Sequence, residues 1–335
     1  MSSEAAPGEL ARGAGRRGPR GLLAGIATDR RLLLAVLVVA LVALMTVLEP
    51  RTFPRPANAA VVLLDTAQTG ILACGMMVLM ISGMFDLSIG GILAFSGIMA
   101  GLAAKYLGLP PTVAFLVGCV WGLLLGMVNG TLVTRFKINA LIATLATLSI
   151  YRGGLQLVSG AGVTNIGNGF TVFGQTQILG IYSPFWFMAA IFLLFAFLVG
   201  RTRYFRQAYY IGGNARAAKL SGINVDRTVF VFFAIMGLLA GLTGALLASR
   251  LNTAVVLAGQ GVELKVITAV VLGGASLSGG VGTIVGAFLG VLFMALLQNA
   301  MIIAGINPFW QLIVVGTVLL LSVGLDQLAR ARGHA

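Results

Sequence analysis

The sequence predicts an all-α membrane protein, a polytopic transmembrane helical bundle of about ten spans in which some helices are broken. Of the 335 residues, 59% are hydrophobic and only 9% are charged, whereas soluble proteins have roughly a quarter charged residues. The mean hydropathy is +1.01, and the apolar residues form runs close to the ~20 residues that a helix needs to cross a bilayer. The 46 glycines fit the close helix packing found in lipid. These observations exclude a soluble domain.

Ten apolar runs are the predicted spans, and polar or glycine-containing segments separate them. They cover residues 32–49, 60–82, 88–107, 111–134, 138–158, 183–200, 228–249, 262–277, 282–304 and 308–326. Together they form a predicted transmembrane domain, 32–328, which includes a long basic loop at 201–227. A basic tail at 1–31, rich in Gly, Ala and Arg, precedes this domain and is predicted to be disordered. A second short tail, 329–335, follows it.

The distribution of Lys and Arg predicts the orientation. An even number of spans puts both ends on one side, and basic loops stay in the cytoplasm. With both ends inside, the inner segments hold 16 of the 22 Lys and Arg: six in the first tail, two at 135–137, six in loop 201–227 and two in the last tail. We therefore expect both termini to be cytoplasmic. The loop at 159–183 is then external, and it is either a connector or a surface for a partner or a pore mouth.

A carboxylate between two apolar runs, Asp86, predicts a break between helices. At the bilayer centre it would cost ~2.5–3.5 kcal/mol, so it must face protein, water or the interface. Ser82, Gly83 and Ser88 surround it. Asp86 either caps the amides of the following helix or takes a direct part in transport, and the sequence leaves both roles open.

A second string, SLSGGVG at 276–282, resembles DLSIGG at 86–91 and contains Ser276 and Ser278. Each string follows a broken apolar segment and precedes a glycine-rich span. Duplicated halves are common in transporters, although two short strings also match by chance. We treat Ser276 and Ser278 as candidates for the translocation path or for a helix break.

Other polar residues lie inside or at the end of apolar runs. Asp65 and Asn129 either line a polar cavity or form hydrogen bonds between helices, and packing is the simpler interpretation. Glu263 and Lys265 lie two positions apart, so they do not face each other on a helix. We expect them to be charges that reach the membrane interface.

No catalytic motif is present in the sequence. There is no GxxxxGK[ST] phosphate loop, HExxH or GxSxG. The cysteines, Cys74 and Cys119, lie in apolar runs without metal-binding spacing, and the single histidine is His334. The chain is therefore predicted to be a non-catalytic membrane subunit with no cofactor of its own. Energy for transport must come from another chain or from an ion gradient.

The basic loop contains a predicted short helix at 214–222. Three alanines favour a helix and allow close approach, and the final Ser-Gly pair is suited to end it. Arg216 and Lys219 lie three positions apart and give the helix one basic edge. The residues of this helix are Asn214, Ala215, Arg216, Ala217, Ala218, Lys219, Leu220, Ser221 and Gly222.

The motif YIGGNARAAKLSGINVDR at 210–227, together with GMFDLSIGG at 83–91, resembles the membrane permease subunits of bacterial ABC importers for monosaccharides, the ribose-type permeases. The resemblance extends over about residues 30–328 and includes the segments 129–154 and 270–293. It implies a ten-span subunit of the bacterial inner membrane that pairs with a second copy of itself or with a related permease.

The same resemblance implies the partners. Cytoplasmic ATPase subunits would bind ATP and Mg, and a periplasmic or lipid-anchored binding protein would deliver the solute. Residues 214–222 would be the coupling helix that docks into a groove of the ATPase, and 201–227 would be the coupling loop. The alternative is an ion-coupled secondary transporter, which would need Asp65 or Asp86 as a working intramembrane carboxylate.

Overall fold

The fold consists of long helices in a bundle with a small amount of β-structure at one end. A computed structural model of the chain describes residues 30–167 and 169–333. Within these residues there are twelve helices and four short strands. The helices are α1 (Arg30–Leu48), α2 (Pro56–Ile81), α3 (Ile89–Lys105), α4 (Pro111–Thr134), α5 (Ala140–Ser159), α6 (Val172–Gln175), α7 (Ser183–Arg201), α8 (Arg203–Leu220), α9 (Val225–Leu251), α10 (Val262–Leu272), α11 (Ile284–Ile303) and α12 (Pro308–Gly333).

Each of the ten predicted spans coincides with one of these helices, which confirms the all-α membrane fold. In the described part of the chain, seven helices are long and apolar enough to cross a membrane, and α3 and the apolar part of α12 are shorter. Helix α10 has 11 residues, about 16 Å at 1.5 Å per residue, so it crosses only about half of a ~30 Å hydrocarbon core. The predicted broken helices are therefore present, and the number of ten spans is approximate.

The core of the bundle is built on α2 and α9. In their most apolar segments 78% and 72% of the residues are buried, against 11% in α1. Helix α9 packs closely on α4, where Gly122 and Gly126 lie against Gly237. Small residues at this contact let the two backbones approach, which is how helices associate in lipid. The charge-poor helices at the periphery keep their apolar side chains on the outside.

The described residues of the loop predicted at 159–183 form short strands and one short helix at one end of the bundle. The loop contains β1 (Gly162–Thr164), which pairs antiparallel with β4 (Thr253–Val255), and a hairpin of β2 (Gln177–Ile178) and β3 (Ile181–Tyr182). Ser249 at the end of α9 donates a hydrogen bond of 2.6 Å to the carbonyl oxygen of Phe170. We call this end of the bundle the β side and the opposite end, which carries α8, the α8 side.

The first predicted tail lies almost wholly outside the described residues, whereas the backbone of most of the second lies within them. Of the segment 1–31, the structure describes only the last two residues, where α1 begins. The backbone of α12 continues as a helix to Gly333, so it extends into the segment 329–335 that the sequence predicted as a tail.

Candidate functional site

The short helix predicted in the basic loop begins at Asn214. The backbone of Asn214 (φ −160°, ψ 97°) interrupts α8, and its side-chain Oδ1 accepts a hydrogen bond of 2.9 Å from the N–H of Ala217. This is the bond that a helix N-cap makes to the third residue of its helix. The chain after Asn214 is therefore a separate helix, which starts where the sequence predicted.

The same helix ends at a glycine with a left-handed backbone. Gly222 has φ +84°, and its N–H donates to the carbonyl of Lys219 while the N–H of Ile223 donates to that of Ala218, both at 3.1 Å. These two bonds form a Schellman cap. The segment 214–222, which we call the capped helix, thus has a cap at each end that is formed by residues of the same segment of chain.

Nearly all of the capped helix is accessible. Only Ala218 is buried among its residues, and Leu220 at its tip is 86% exposed. A cleft of about 560 Å³ lies along its basic edge and is lined by residues that include Arg216 and Lys219. A cleft of about 420 Å³ on another side is lined by residues that include Ala217. With a cleft on two sides and an exposed leucine at its tip, this helix offers a surface that is accessible to another molecule.

The end of α2 at 81–83 and the second break at 276–282 meet at α8, next to the capped helix. The N–H of Gly280 donates a hydrogen bond of 2.8 Å to the carbonyl of Ile81, so the two breaks contact each other directly. Gly212 lies against both: a Cβ at this position would overlap the carbonyl of Ile81 and the N–H of Gly280. We call this contact of 81–83, 212 and 279–282 the glycine junction.

A tyrosine adds a further bond to the glycine junction. The hydroxyl of Tyr209 on α8 donates to the carbonyl of Gly282 at 2.8 Å. Burial raises the pKa of Tyr209, so the hydroxyl keeps the proton that this bond needs over the physiological pH range. The element that carries the capped helix is therefore fixed to the break at 276–282 by a hydrogen bond and by close packing.

Asp86 is fully buried in a closed hydrogen-bond network. Its Oδ1 accepts from the N–H of Ser88 at 2.8 Å and from the hydroxyl of Ser88 at 2.6 Å. Asn129 on α4 donates to Asp86 Oδ2 at 3.2 Å and to Ser88 Oγ at 2.7 Å. Tyr151 on α5 completes the network by donating to Asn129 Oδ1 at 3.1 Å. The bond from the N–H of Ser88 to Asp86 is a local bond between residues i and i+2 in the turn before α3, and Ser88, the N-cap residue of α3, makes no side-chain cap bond. The network joins the first break to two neighbouring helices.

The serines of the two breaks form hydrogen bonds with backbone groups of their own segments. Ser82 is buried and its hydroxyl donates to the carbonyl of Leu79 at 2.7 Å, and Gly83 follows with φ +77°. In the second break the hydroxyl of Ser276 accepts from the N–H of Ser278 at 3.1 Å. Ser276 is buried and Ser278 is exposed. Of these four candidates, Ser278 alone has an exposed side chain in this conformation.

Asp65 forms an ion pair between helices. The Nζ of Lys265 on α10 lies 2.7 Å and 2.8 Å from the two carboxylate oxygens of Asp65 on α2. The side chain of Lys265 is only 13% exposed and points to Asp65, a partner that the sequence did not predict. Among the described residues no group of His, Cys, Asp or Glu could hold a metal ion.

Glu263 and Arg152 form a second pair of neighbouring opposite charges, which the sequence did not predict. A Cβ built on Gly90 would lie 2.6 Å from Glu263 Oε2 and 3.3 Å from Arg152 Nη2, so both side chains reach the start of α3. Arg152 also donates to the carbonyl of Val256 at 2.9 Å. The available signal was the position of Arg152 inside the apolar run of α5, since a charge there needs a partner.

Comparison of the sequence with known proteins assigns this chain to a family. Residues 58–323 match the family model described as "Branched-chain amino acid transport system / permease component". The ribose import permease protein RbsC of Bacillus subtilis is 42% identical over 292 residues, which cover 86% of this chain and 89% of that protein. RbsC of Escherichia coli K12 is 35% identical, with 89% and 93% covered. The L-arabinose permease AraH of Azospirillum brasilense is 37% identical, with 84% of each chain covered.

No solved structure matches this chain. The family match covers more than half of the chain, and the similarity to the relatives extends over nearly their whole length. The helical bundle with seven long apolar spans among its described residues is consistent with both. The chain therefore belongs to the permease-component family of ABC transport systems.

Proposed function

We propose that this chain forms the transmembrane pathway of an ABC importer for a monosaccharide and moves its solute inward by alternating access. Family membership makes the chain a non-catalytic membrane subunit, and its relatives are import permeases for ribose and L-arabinose. Separate ATPase subunits, which bind ATP and Mg, supply the energy. The protein is a multi-pass protein of the bacterial inner membrane.

The capped helix is the element on which the ATPase acts. The observation that carries this part of the proposal is that this helix is both capped at its two ends and exposed. A helix of six residues is too short to be stable by itself, so the caps hold it in the one conformation to which a partner can bind. Arg216 and Lys219 offer charge to acidic groups of the partner, and Leu220 offers an apolar contact.

The basic loop that contains the capped helix also indicates how the chain is oriented in the membrane. We assign the α8 side to the cytoplasm, because loop 201–227 holds six Lys and Arg and basic loops are retained there. Both termini are then cytoplasmic, and the β side faces the periplasm. The charge-free segment 159–182 on the β side leaves docking of a binding protein to polar and apolar contacts and to charges elsewhere, such as Arg51 and Arg55.

Movement of the capped helix reaches the membrane through the glycine junction. Both breaks contact α8 there, so a displacement of α8 acts on α2 and on the break before α11 at once. A second copy of this chain or a related permease provides the other half of the pathway. Only weak and staged solute binding is compatible with release on the far side, so most of the selectivity belongs to the binding protein.

The experiment is co-purification followed by reconstitution. The chain is expressed with its ATPase and binding protein, and uptake of ribose, arabinose and xylose is measured in proteoliposomes with ATP inside or outside. Uptake is expected only with the ATPase present and ATP on its side. Uptake driven by an imposed proton or sodium gradient without ATPase would refute the proposal and favour a secondary transporter.

A charge reversal tests the docking element. Arg216→Glu should reduce recovery of the ATPase, because it opposes the acidic groups expected on the partner. Arg203→Glu is the matched control, since Arg203 is exposed at the other end of α8 and the change in net charge is the same. Equal loss of ATPase with both variants would show that the loop acts through its overall charge and not through the capped helix.

A further inference from the structure

A cavity on the β side, with a largely apolar wall that holds four polar side chains, is not used by any step described so far. It lies between α10, α11 and α12 and has a volume of about 360 Å³, within the range of small-molecule sites. Lys265, Gln260, Gln298 and Gln311 contribute the polar part of its wall, and three leucines, two valines and three glycines contribute the rest. Each of these polar residues is near the β-side end of its helix or in the loop that leads to it.

The glutamines of this cavity have no partner in the protein. Gln298 and Gln311 are half-buried, and within residues 30–167 and 169–333 neither side-chain amide makes a hydrogen bond. In hydrocarbon an unpaired amide costs several kcal/mol, so these groups must face water or a polar ligand. The polar part of the wall therefore suits water or a polar ligand.

The charge in the cavity wall is already neutralised. Lys265 directs its Nζ to both carboxylate oxygens of Asp65, so the wall holds no unpaired cation to attract an anion. The three amides offer both donors and acceptors, which is the chemistry that hydroxyl groups need. Leu264 and Leu312 provide apolar surface for C–H groups.

We infer that this cavity is a solute subsite on the β side, which takes a neutral polyhydroxylated molecule such as a monosaccharide before it enters the bundle. The inference rests on the proposed function for the direction of movement. The amides bind hydroxyl groups without an aromatic or charged anchor, so the affinity is low. A weak subsite at the entrance suits a permease that receives its solute from another protein and must pass it on.

Cysteine labelling tests the subsite in the full-length chain in membranes. Gln298→Cys and Gln311→Cys are treated with a charged, membrane-impermeant thiol reagent from the β side. The native Cys74 and Cys119 are buried, so the parent protein gives the background. Both variants are expected to react, whereas Leu320→Cys, at an exposed apolar position of α12, should not react because lipid excludes the reagent.

Protection by solute is the decisive measurement. Ribose, arabinose, xylose and myo-inositol are titrated, with glycine betaine as the osmotic control. A solute that binds should slow labelling of both cavity cysteines about tenfold when its concentration reaches ten times its Kd. Gln177→Cys, at an exposed glutamine of β2, is the matched control and should react at the same rate with or without solute.

Two results would overturn the inference: no reaction at either cavity cysteine, or reaction that none of the four solutes slows. ATP-driven uptake by the parent complex is measured in parallel, so the two proposals fail separately. Uptake without protection removes the subsite and leaves the importer. Protection without ATP-driven uptake supports the subsite and removes the importer.

Discussion

The glycine junction predicts that one methyl group at Gly212 is enough to disturb the link between the capped helix and the membrane helices. In Gly212→Ala the new Cβ would overlap the carbonyl of Ile81 and the N–H of Gly280. Both are backbone groups, and neither can rotate away as the end of a flexible side chain does. The break at 81–83 and the break at 276–282 must therefore move away from α8.

The expected cost follows from the two contacts that change. Inserting a methyl group into a packed site costs typically ~1–3 kcal/mol, and loss of the hydrogen bond from Gly280 to Ile81 adds ~0.5–1.5 kcal/mol. A total of about 1.5–4.5 kcal/mol corresponds to a factor of about 12 to 1,600 in an equilibrium constant. We expect a lower thermal unfolding temperature and a loss of transport per ATP hydrolysed.

The neighbouring residue supplies the control. Gly213→Ala introduces the same methyl group one position later, where nothing lies within 4 Å of the new Cβ. Both variants gain the same helix propensity relative to glycine, so the difference between them reports the junction alone. Thermal unfolding of the purified chain and ATP-driven uptake by the complex are measured for both. Equal unfolding temperatures and equal uptake in the two variants would refute the role of the junction.

The remaining predictions concern the cap and the polar contacts between helices. Asn214→Ala removes the N-cap at a cost of ~1 kcal/mol and should weaken co-purification of the ATPase, while Asn214→Asp, which still caps, should restore it; failure of Asp to restore it would mean that the amide binds the partner directly. Lys265→Met leaves Asp65 unpaired and should lower the unfolding temperature, and Asp65→Asn combined with it should recover part of the loss. The expected coupling is only ~1 kcal/mol because Asp65 is partly exposed, and strict additivity in this double-mutant cycle would exclude a stabilising ion pair. Asn129→Leu deprives the buried carboxylate of Asp86 of a donor and should destabilise the chain by ~1–3 kcal/mol, whereas unchanged stability would mean that Asp86 carries a proton or takes up water.

The sequence alone predicted the membrane fold and the capped helix because both depend on local patterns. Apolar runs specify spans through the cost of exposing polar groups to lipid. The capped helix was predicted from its alanines and from the Ser-Gly pair that ends it, whereas the structure adds the N-cap bond of Asn214. The break at Asp86 was predicted for the same reason, since a carboxylate in an apolar run needs either a cap or a partner.

The contacts between distant segments were not predictable in this way. Nothing in the sequence pairs Asp65 with Lys265, which are 200 positions apart, or brings Glu263 to Arg152. The glycine junction was equally hidden, because a glycine at 212 appears in the sequence as a residue of a flexible loop. Only the packing of three segments at one point shows that this position has no room for a side chain.

The two breaks differ in how firmly they are held, and this difference indicates which parts of the bundle can move. The first break is tied to α4 and α5 by the buried hydrogen-bond network of Asp86. The second break, at 276–282, is held mainly by backbone contacts with 81–83 and α8. It also has glycines with positive φ at 279, 280 and 282, where the backbone changes conformation at little cost.

A displacement of α8 therefore meets a rigid break on one side and a deformable loop on the other, so the movement is expected to pass into the break before α11. That helix also forms part of the wall of the cavity on the β side, so an action at the capped helix can reach the solute entrance through one continuous chain segment.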